Sequence, residues 1–307
     1  MNHQVSQPKP QLALIAAGAA LGTVAVLIAI KLWAYIDNAS VSVLASLIDS
    51  VVDAGVSFIM FMAIRISLKP ADSEHRYGHG KAEGLAALFQ AAFILGSGFF
   101  LLLESLKHFV SPVAYNDTNN AIIIMAISAL LSLALTMVQT YALQKSPSLA
   151  LESDRVHYAS DIVVNIGVII VLLALKNGAP GWLDPAFGVA VVVYLALLSK
   201  HIAGQGLDML LDRELPGSAR EKITQKVLSH QYVLGMHDLR THKSGMRVFI
   251  SFDMELDPSL LLYNAHEIVR EVEHELLIDF PNAEILIHVD PYGDTHDTRH
   301  HVSGVHH

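Results

Sequence analysis

Cysteine is absent from this chain of 307 residues, so no disulfide can form and no thiolate can bind a metal. Any metal site must therefore use histidine, carboxylate or backbone oxygen ligands. Charged residues are also scarce: they make up 16% of the chain, against about 25% in an average soluble protein. Hydrophobic residues reach 52%, and the mean hydropathy is +0.44. This composition predicts that much of the chain lies in a membrane.

Several classes of function are disfavoured by motifs that the sequence lacks. There is no G-x-x-x-x-G-K-[ST] motif, which argues against a nucleotide as the source of energy. Two His-Glu pairs begin like the H-E-x-x-H motif of zinc proteases, but Arg270 and Ile278 stand where the second histidine belongs. The net charge of -9 argues against nucleic acid as a partner. We therefore expect neither an enzyme nor a nucleic-acid-binding protein.

The chain divides by composition into an apolar part and an acidic part. Residues 1–207 hold 12 acidic and 11 basic residues, whereas residues 208–307 hold 17 acidic and 9 basic residues. We predict a membrane domain followed by a soluble, cytoplasmic one that binds metal. The predicted regions are a disordered N-terminus (1–10), a six-helix transmembrane domain (11–207), the cytoplasmic domain (208–291) and a disordered histidine-rich tail (292–307).

Six apolar segments have about the length of roughly 20 residues that a helix needs to cross a bilayer. They lie near Leu12–Trp33, Val41–Ile64, Ala82–Phe109, Ala121–Leu143, Arg155–Lys176 and Trp182–His201. Basic residues gather in the loops after the second and fourth segments, and the opposite side offers only Lys31, Lys107 and Lys176, at segment ends where they can reach the membrane surface. We therefore expect a multi-pass protein of the inner (plasma) membrane with both termini in the cytoplasm.

The acidic third has the pattern of a small α+β domain. Helical spacing over 218–230 is followed by two alternating segments on either side of Ser244-Gly245, a pair typical of hairpins. A second helix over 258–280 and an alternating segment over 283–289 complete the order α-β-β-α-β. The predicted fold is thus an all-α six-helix membrane bundle with a C-terminal, open-faced α+β domain.

Two pairs of polar residues stand inside apolar segments. Asp49 and Asp53 lie in the second segment and His157 and Asp161 in the fifth, and the spacing of four places each pair on one helix face. A charged residue in hydrocarbon costs about 2.5–3.5 kcal/mol even on the lenient insertion scale. The alternative is that these groups pair with bases or cap helices. One divalent cation would satisfy all four, so we interpret them as a metal pathway.

The chemistry of this quartet favours Zn2+. Three carboxylates and one imidazole suit a tetrahedral site for a borderline dication, whereas Mg2+ and Ca2+ prefer more oxygen ligands. Protons compete with the metal for the same ligands, so exchange of a dication for protons is the simplest coupling. A metal/proton antiporter is our leading hypothesis. The alternatives are a membrane-anchored metal sensor and a divalent-metal channel, the latter conducting without protons.

Two further groups of candidate ligands lie outside the apolar segments. Asp72, His75 and His79 share the loop after the second segment, where they could surround one ion or could be ordinary polar loop residues. In the acidic third, the candidates converge only if the predicted hairpin and its covering helix bring them together. They are His237, Asp253, His266, His288 and Asp290, which could form one or two ion sites or remain surface residues.

Taken together, the six segments, the paired quartet and the α+β domain resemble the cation diffusion facilitators, and most closely their bacterial zinc/ferrous-iron efflux type. The resemblance covers about 12–291 and implies a homodimeric Zn2+/H+ antiporter that works by alternating access. It implies that the quartet is the transport site, and it matches the loop group and the domain group to metal sites of the family. It also matches Lys81 and Asp212 to an ion pair at the dimer seam.

The resemblance also ranks the metals. An Asp-Asp/His-Asp quartet resembles the form that accepts Zn2+ and Cd2+, so Zn2+ ranks first, with Cd2+ and Fe2+ as further candidates. The family often has a histidine where Asp253 stands and a polar residue where Val289 stands. One of the two ions implied for the domain is therefore less well supported by this sequence.

Overall fold

The computed structural model of the chain describes residues 11–38, 41–110 and 118–293. The predicted disordered segment 1–10 and nearly all of the predicted tail lie outside the described residues. The chain divides into two compact units, the first ending at Asp208 and the second beginning at Met209. Each unit has its own core, and each is described by itself.

The first unit consists of six long helices. They are α1 (Gln11–Asn38), α2 (Val41–Ser67), α3 (Ala82–Val110), α4 (Thr118–Lys145), α5 (Leu149–Lys176) and α6 (Leu183–Leu210). All six are long and apolar enough to cross a membrane, and their outer faces expose large apolar side chains such as Phe100 (72%) and Leu130 (66%). The six predicted spans are therefore confirmed. We call the helix ends that meet the 68–81 segment and the 146–148 turn the loop side, and the opposite ends the far side.

All six helices extend beyond the predicted segments, and the extensions of α5 and α6 have a visible structural cause. α5 begins at Leu149 rather than Arg155, because Ser148 caps it by accepting a hydrogen bond from the Leu151 N–H. α6 continues past the predicted end at His201 to Leu210. Small residues let α6 approach α3: a Cβ atom added to Gly206 would lie 2.9 Å from the carbonyl oxygen of Gly84. This close contact fixes where α6 packs.

The second unit is an α+β sandwich of two layers. Its elements are α7 (Gly217–Leu228), β1 (Gly235–Ser244), β2 (Arg247–Leu256), α8 (Leu262–Asp279) and β3 (Ala283–Pro291). The sheet order is β1-β2-β3, with β1 antiparallel and β3 parallel to β2. The hairpin turns at Gly245 with φ of 60°, a conformation that glycine adopts without strain. The predicted fold class is confirmed.

Alternation along β2 separates the core of the second unit from its polar face. Ile250, Phe252 and Met254 are buried and belong to one cluster with apolar residues of α7 and α8. The intervening residues Asp253 and Glu255 are half-buried on the other face. The register pairs Asp253 with His237 on β1 and with His288 on β3. A row of polar side chains therefore crosses all three strands on the face away from the helices.

Candidate metal centres

Helices α2 and α5 bring three of the four predicted quartet side chains together. The Nε2 atom of His157 lies 3.7 Å from Oδ1 of Asp53 and 3.8 Å from Oδ2 of Asp161. His157 and Asp161 meet because they are one turn apart on α5, and Asp53 reaches them from the neighbouring helix. Asp49 lies on the same helix as Asp53, but its side chain is outside the described part of the structure. The group formed by Asp53, His157 and Asp161 is called the membrane cluster below.

The geometry of the membrane cluster suits a metal cation. The Nε2 atom of His157 is buried and has no hydrogen-bond partner among the described residues. Its distances to both carboxylates exceed those of good hydrogen bonds, which lie near 2.7–3.2 Å. Two carboxylates and an imidazole around a shared space could bind a dication, and the same atoms could bind protons.

A cavity of about 330 Å³ extends from the membrane cluster toward the far side. Its polar lining includes Ser50, Ser128 and Ser132 in addition to the cluster itself. Lys31 also lines it and donates a hydrogen bond of 2.6 Å to Ser50 Oγ. The sequence predicts that Lys31 extends to the membrane surface, so its place in the cavity corrects that expectation. The ammonium is within reach of Ser50 because α1 packs against α2.

A layer of buried polar residues lies on the loop side of the membrane cluster, and we call its members Ser57, Gln139, Asp154 and Tyr158 the polar layer. Gln139 Nε2 donates to Asp154 Oδ2 at 2.7 Å, and Ser57 Oγ donates to Asp154 Oδ1 at 3.5 Å. The hydroxyl groups of Ser57 and Tyr158 lie 2.8 Å apart. All four residues are at most 3% exposed. Sequence reasoning missed this layer, although Asp154 stands one turn before His157 and could have suggested it.

A second buried carboxylate joins three helix ends on the loop side. Glu83, at the start of α3, is 1% exposed. Its Oε1 accepts a hydrogen bond of 2.7 Å from Ser67 Oγ, at the end of α2. Its Oε2 accepts from Ser148 Oγ (2.8 Å) and from the backbone N–H of Leu149 (2.7 Å), where α5 begins. In the sequence, only the position of Glu83 points to this role: it is an acidic residue at the start of a predicted span, directly after a charged loop.

The loop candidates do come together in the structure. His75 Nδ1 lies 3.2 Å from Asp72 Oδ1, and His79 Nε2 lies 3.3 Å from Asp72 Oδ2. One ligand atom from each residue fits within 4.8 Å of the others. Hydrogen bonds from the backbone of His75 and then of Glu74 help to lower the pKa of Asp72, so its carboxylate is charged over the neutral range. These three residues are called the loop cluster.

The domain candidates converge in part. His237 lies 3.5 Å (Nδ1) from Asp253 and 3.4 Å (Nε2) from Asp290, and these three residues form the domain cluster. His288 Nε2 lies 3.0 Å from Asp290 Oδ1 at its edge. Burial raises the pKa of the Asp253 carboxyl, while His237 opposes this rise and Asp290 adds to it. A cation would relieve that repulsion between the carboxylates.

Two findings in the second unit differ from the sequence prediction. Glu255, which the prediction omits, lies 3.5 Å from His237 Nε2 because it shares the polar face of β2 with Asp253. His266 does not join the domain cluster within the chain. It is exposed on α8, which packs on the apolar face of the sheet, away from the cluster.

The predicted ion pair between Lys81 and Asp212 joins residues of different units and stays a prediction. Lys81 is exposed in the first unit, one residue before α3 begins. In the second unit, Asp212 has φ of 55°, and its carboxylate lies 3.7 Å from His242 Nε2.

Comparison with known proteins covers almost the whole chain. A family model described as the cation efflux transmembrane domain matches residues 18–211, and one described as the cation efflux protein cytoplasmic domain matches residues 215–292. The cation-efflux pump FieF of Yersinia pestis (strain Pestoides F) is 39% identical over 294 residues, which are 95% of this chain and 98% of the relative. The FieF pump of Yersinia pseudotuberculosis serotype I (strain IP32953) gives the same values.

Two solved structures of cytosolic domains each match a quarter of the chain. The metal-bound C-terminal domain of the CzcD transporter from Thermotoga maritima is 26% identical, with a TM-score of 0.25, and the match covers 25% of this chain and 92% of that one. The cytosolic domain of a cation diffusion facilitator family protein is 27% identical, with a TM-score of 0.24, covering 25% and 93%.

Proposed function

This chain belongs to the cation efflux family of multi-pass membrane transporters, and we propose that it exports Zn2+ from the cytoplasm in exchange for protons. The family predicted from the paired quartet is confirmed, and with it the prediction that the chain is a transporter rather than an enzyme. The metal, the coupling ion and the roles of individual residues are our proposals.

The observation that carries the proposal is the membrane cluster. Its two carboxylates and one imidazole come from two helices that are apolar enough to span a bilayer. Both carboxylates lie within 3.8 Å of His157 Nε2. Hydrocarbon makes such a group costly unless a cation or protons neutralise it. With Asp49 as the fourth ligand, the donor set of three oxygens and one nitrogen matches a tetrahedral zinc site. Cd2+ and Fe2+ are the further candidate substrates.

Proton coupling follows from the ligand chemistry. Metal binding requires the deprotonated forms of histidine and aspartate, so metal and protons occupy the membrane cluster alternately. The cluster is loaded with metal from the cytoplasm, and protons entering from the far side displace the ion. The cavity toward the far side supports this direction of release.

The two clusters outside the membrane serve regulation and assembly in this proposal. The loop cluster and the domain cluster bind Zn2+ as structural or regulatory ions. His288 serves the domain site at its edge, and His266 serves it only in the dimer. The chain works as a homodimer, for which the match to the cytoplasmic domain family is the support. Lys81 and Asp212 form an ion pair near the dimer seam. The loop side, with both termini, faces the cytoplasm of the inner membrane.

The competing hypotheses make different predictions for the same residues. A metal sensor needs spans only as an anchor and gives no reason for ionisable groups between α2 and α5. A channel would conduct metal down its gradient without protons. Family membership favours a transporter over both.

Zinc uptake into proteoliposomes tests the proposal. The wild-type protein should move Zn2+ when a pH gradient is imposed, and uptake should fall with the gradient removed. Asp53→Ala and His157→Ala should each reduce uptake to the background of empty vesicles. Lys107→Gln, an exposed residue at the far end of α3, is the matched control and should transport normally. Transport that ignores the pH gradient would exclude antiport, and wild-type uptake by both alanine variants would exclude the membrane cluster.

A further inference from the structure

The polar layer closes the loop side of the membrane cluster while a cavity opens the far side. Ser57 stands one turn beyond Asp53 along α2, and Asp154 stands one turn before His157 along α5. Ser57 and Asp154 therefore lie toward the loop side, and Tyr158, which also lines the cavity, reaches Ser57 with its hydroxyl group. The cavity-lining residues Lys31 and Ser50 lie in the opposite direction. An ion in the membrane cluster thus has open space on one side and hydrogen-bonded side chains on the other.

The side chains of the polar layer differ from those expected in a permanently closed barrier. Apolar side chains would separate the cluster from the loop side without any desolvation cost. The barrier instead contains the carboxylate of Asp154, the amide of Gln139 and two hydroxyl groups. Polar residues in the interior of a membrane bundle mark the path of ions and protons. A polar barrier of this kind suits a layer that also takes a second, open arrangement.

Incomplete hydrogen bonding among the buried polar side chains supports this second arrangement. Gln139 Oε1 is buried and has no partner among the described residues, and neither do the two amide atoms of Gln90 on α3. Buried polar atoms normally have partners, and an orphaned one needs an explanation such as water or an ion that visits it. Both glutamines are completely buried. The layer therefore contains one buried acceptor, Gln139 Oε1, that has no partner within the described part of the chain in the closed arrangement, as expected of a site that water or a cation visits.

We propose that the polar layer is the loop-side gate of the transport path, and that Asp154 is the first buried carboxylate an entering divalent cation meets. The proposal rests on the proposed transport function. In the closed arrangement Gln139 and Ser57 occupy both oxygens of Asp154. When α4 and α2 move away from α5, the carboxylate is released and faces the entry path. The cation then advances one turn of α5 to the membrane cluster.

Single cysteines report the gate directly, because the native chain contains none. Ser57→Cys places a thiol in the layer, and Ser128→Cys places one in the wall of the far-side cavity. In nanodiscs, which expose both faces, a charged methanethiosulfonate reagent should label Ser128→Cys quickly and Ser57→Cys slowly. Adding Asp154→Ala or Gln139→Ala should raise the labelling rate of Ser57→Cys at least about tenfold and lower that of Ser128→Cys, because the two sides open alternately. Glu152→Gln, on the same turn of α5 but outside the layer, should change neither rate.

Two outcomes of the labelling experiment would overturn the proposal that the polar layer is a gate. Unchanged labelling of Ser57→Cys in both layer variants would overturn the gate. A rise at both cysteines together would show a loosened bundle rather than a gate, and would overturn it as well. The measurement moves no metal, so it stands apart from the uptake test of the proposed function.

The role of Asp154 as the first carboxylate has its own test. Asp154→Asn keeps the shape and one acceptor but removes the charge that attracts the cation. In a background of Asp72→Ala and Asp290→Ala, which leaves only the membrane cluster, stopped-flow mixing with Zn2+ should show association slowed about tenfold. The equilibrium affinity should stay within about twofold, because a residue that the cation only passes changes the association and dissociation rate constants by the same factor. A large loss of affinity with unchanged association would make Asp154 a ligand of the final site and overturn its place on the entry path.

Discussion

The carboxylate of Glu83 accepts a hydrogen bond of 2.7 Å from the backbone N–H of Leu149, so an acid on α3 caps the start of α5. The same side chain accepts from Ser148 and from Ser67 at the end of α2. A negative charge is favoured at a helix N-terminus because the first N–H groups lack partners in the helix. The helix that carries His157 and Asp161 is therefore held at its loop-side end by a residue of another helix.

Replacing this acid should weaken the whole membrane unit. Glu83→Ala removes the acceptor of two hydroxyl groups and of the Leu149 and Ala150 backbone N–H groups, and we expect a loss of about 2–4 kcal/mol in the free energy of unfolding. Glu83→Gln keeps an acceptor oxygen and should lose less. Denaturant unfolding in detergent micelles measures both, with the exposed Glu74→Gln as the control. Equal stability of Glu83→Ala and the control would show that the cap contributes nothing.

Substitution at His157 should change which metal is transported. His157→Asp replaces the nitrogen ligand with oxygen, and oxygen ligands favour harder ions. We expect the ratio of Zn2+ to Mn2+ uptake to fall by about tenfold or more, since one unit of log affinity corresponds to about 1.4 kcal/mol. Competition uptake in proteoliposomes measures the ratio. If it is unchanged, His157 is not a ligand of the transported ion.

The positive charge of Lys31 should oppose metal binding in the cavity. Its ammonium lines the same space as Asp53 and Asp161, and like charges repel more strongly where water is scarce. We expect Lys31→Gln to raise the affinity of the membrane cluster for Zn2+ several-fold, whereas Lys31→Arg should match the wild type. Ser50→Ala removes the hydrogen bond and keeps the charge, so it separates the two effects. Isothermal titration calorimetry gives the affinities.

The domain cluster should depend on both metal and pH. Burial raises the pKa of Asp253 above its unfolded value, so the stability contributed by its protonated form is lost as pH rises through the folded pKa. Asp253→Asn should therefore protect the metal-free sheet at neutral pH and remove the extra protection that Zn2+ gives. Hydrogen exchange of the β1–β3 amides in the full-length protein measures this. Asp257→Asn is the opposite control, because hydrogen bonds from Ser259 lower the pKa of Asp257 and its charge stabilises the fold.

The loop cluster should bind metal independently of the membrane cluster. Asp72→Asn removes the carboxylate that lies within 3.3 Å of both histidines. We expect it to reduce the number of Zn2+ ions bound at equilibrium by one per chain while uptake still responds to the pH gradient. Equilibrium dialysis against Zn2+ counts the ions, and His75→Ala should give the same count. An unchanged number of bound Zn2+ ions in both variants would show that the loop cluster does not bind metal.

The sequence predicted those features that depend on periodicity. Six apolar segments gave the six helices, and alternation along β2 separated the buried Phe252 from Asp253. The spacing of four between His157 and Asp161 placed both on one face, which the structure reproduces. These features need only the local geometry of one helix or strand.

Features that depend on contacts between helices were not predictable in the same way. Lys31 stands at the end of a span in the sequence, and only the packing of α1 on α2 turns it into the cavity. Asp154 and Gln139 come from different helices, so their hydrogen bond has no signature in spacing. His266 lies away from the domain cluster because α8 packs on the apolar face of the sheet. The helical pattern alone does not show which face of the sheet the helix covers.

The polar row of the second unit begins on its first strand and ends on its last. His237 belongs to β1 and Asp290 to β3, at opposite edges of a three-stranded sheet, with Asp253 on the central strand between them. One ion bound there would crosslink the two outer strands through the central one and restrict the fraying of both. Resistance of this domain to proteases would then follow the supply of free metal.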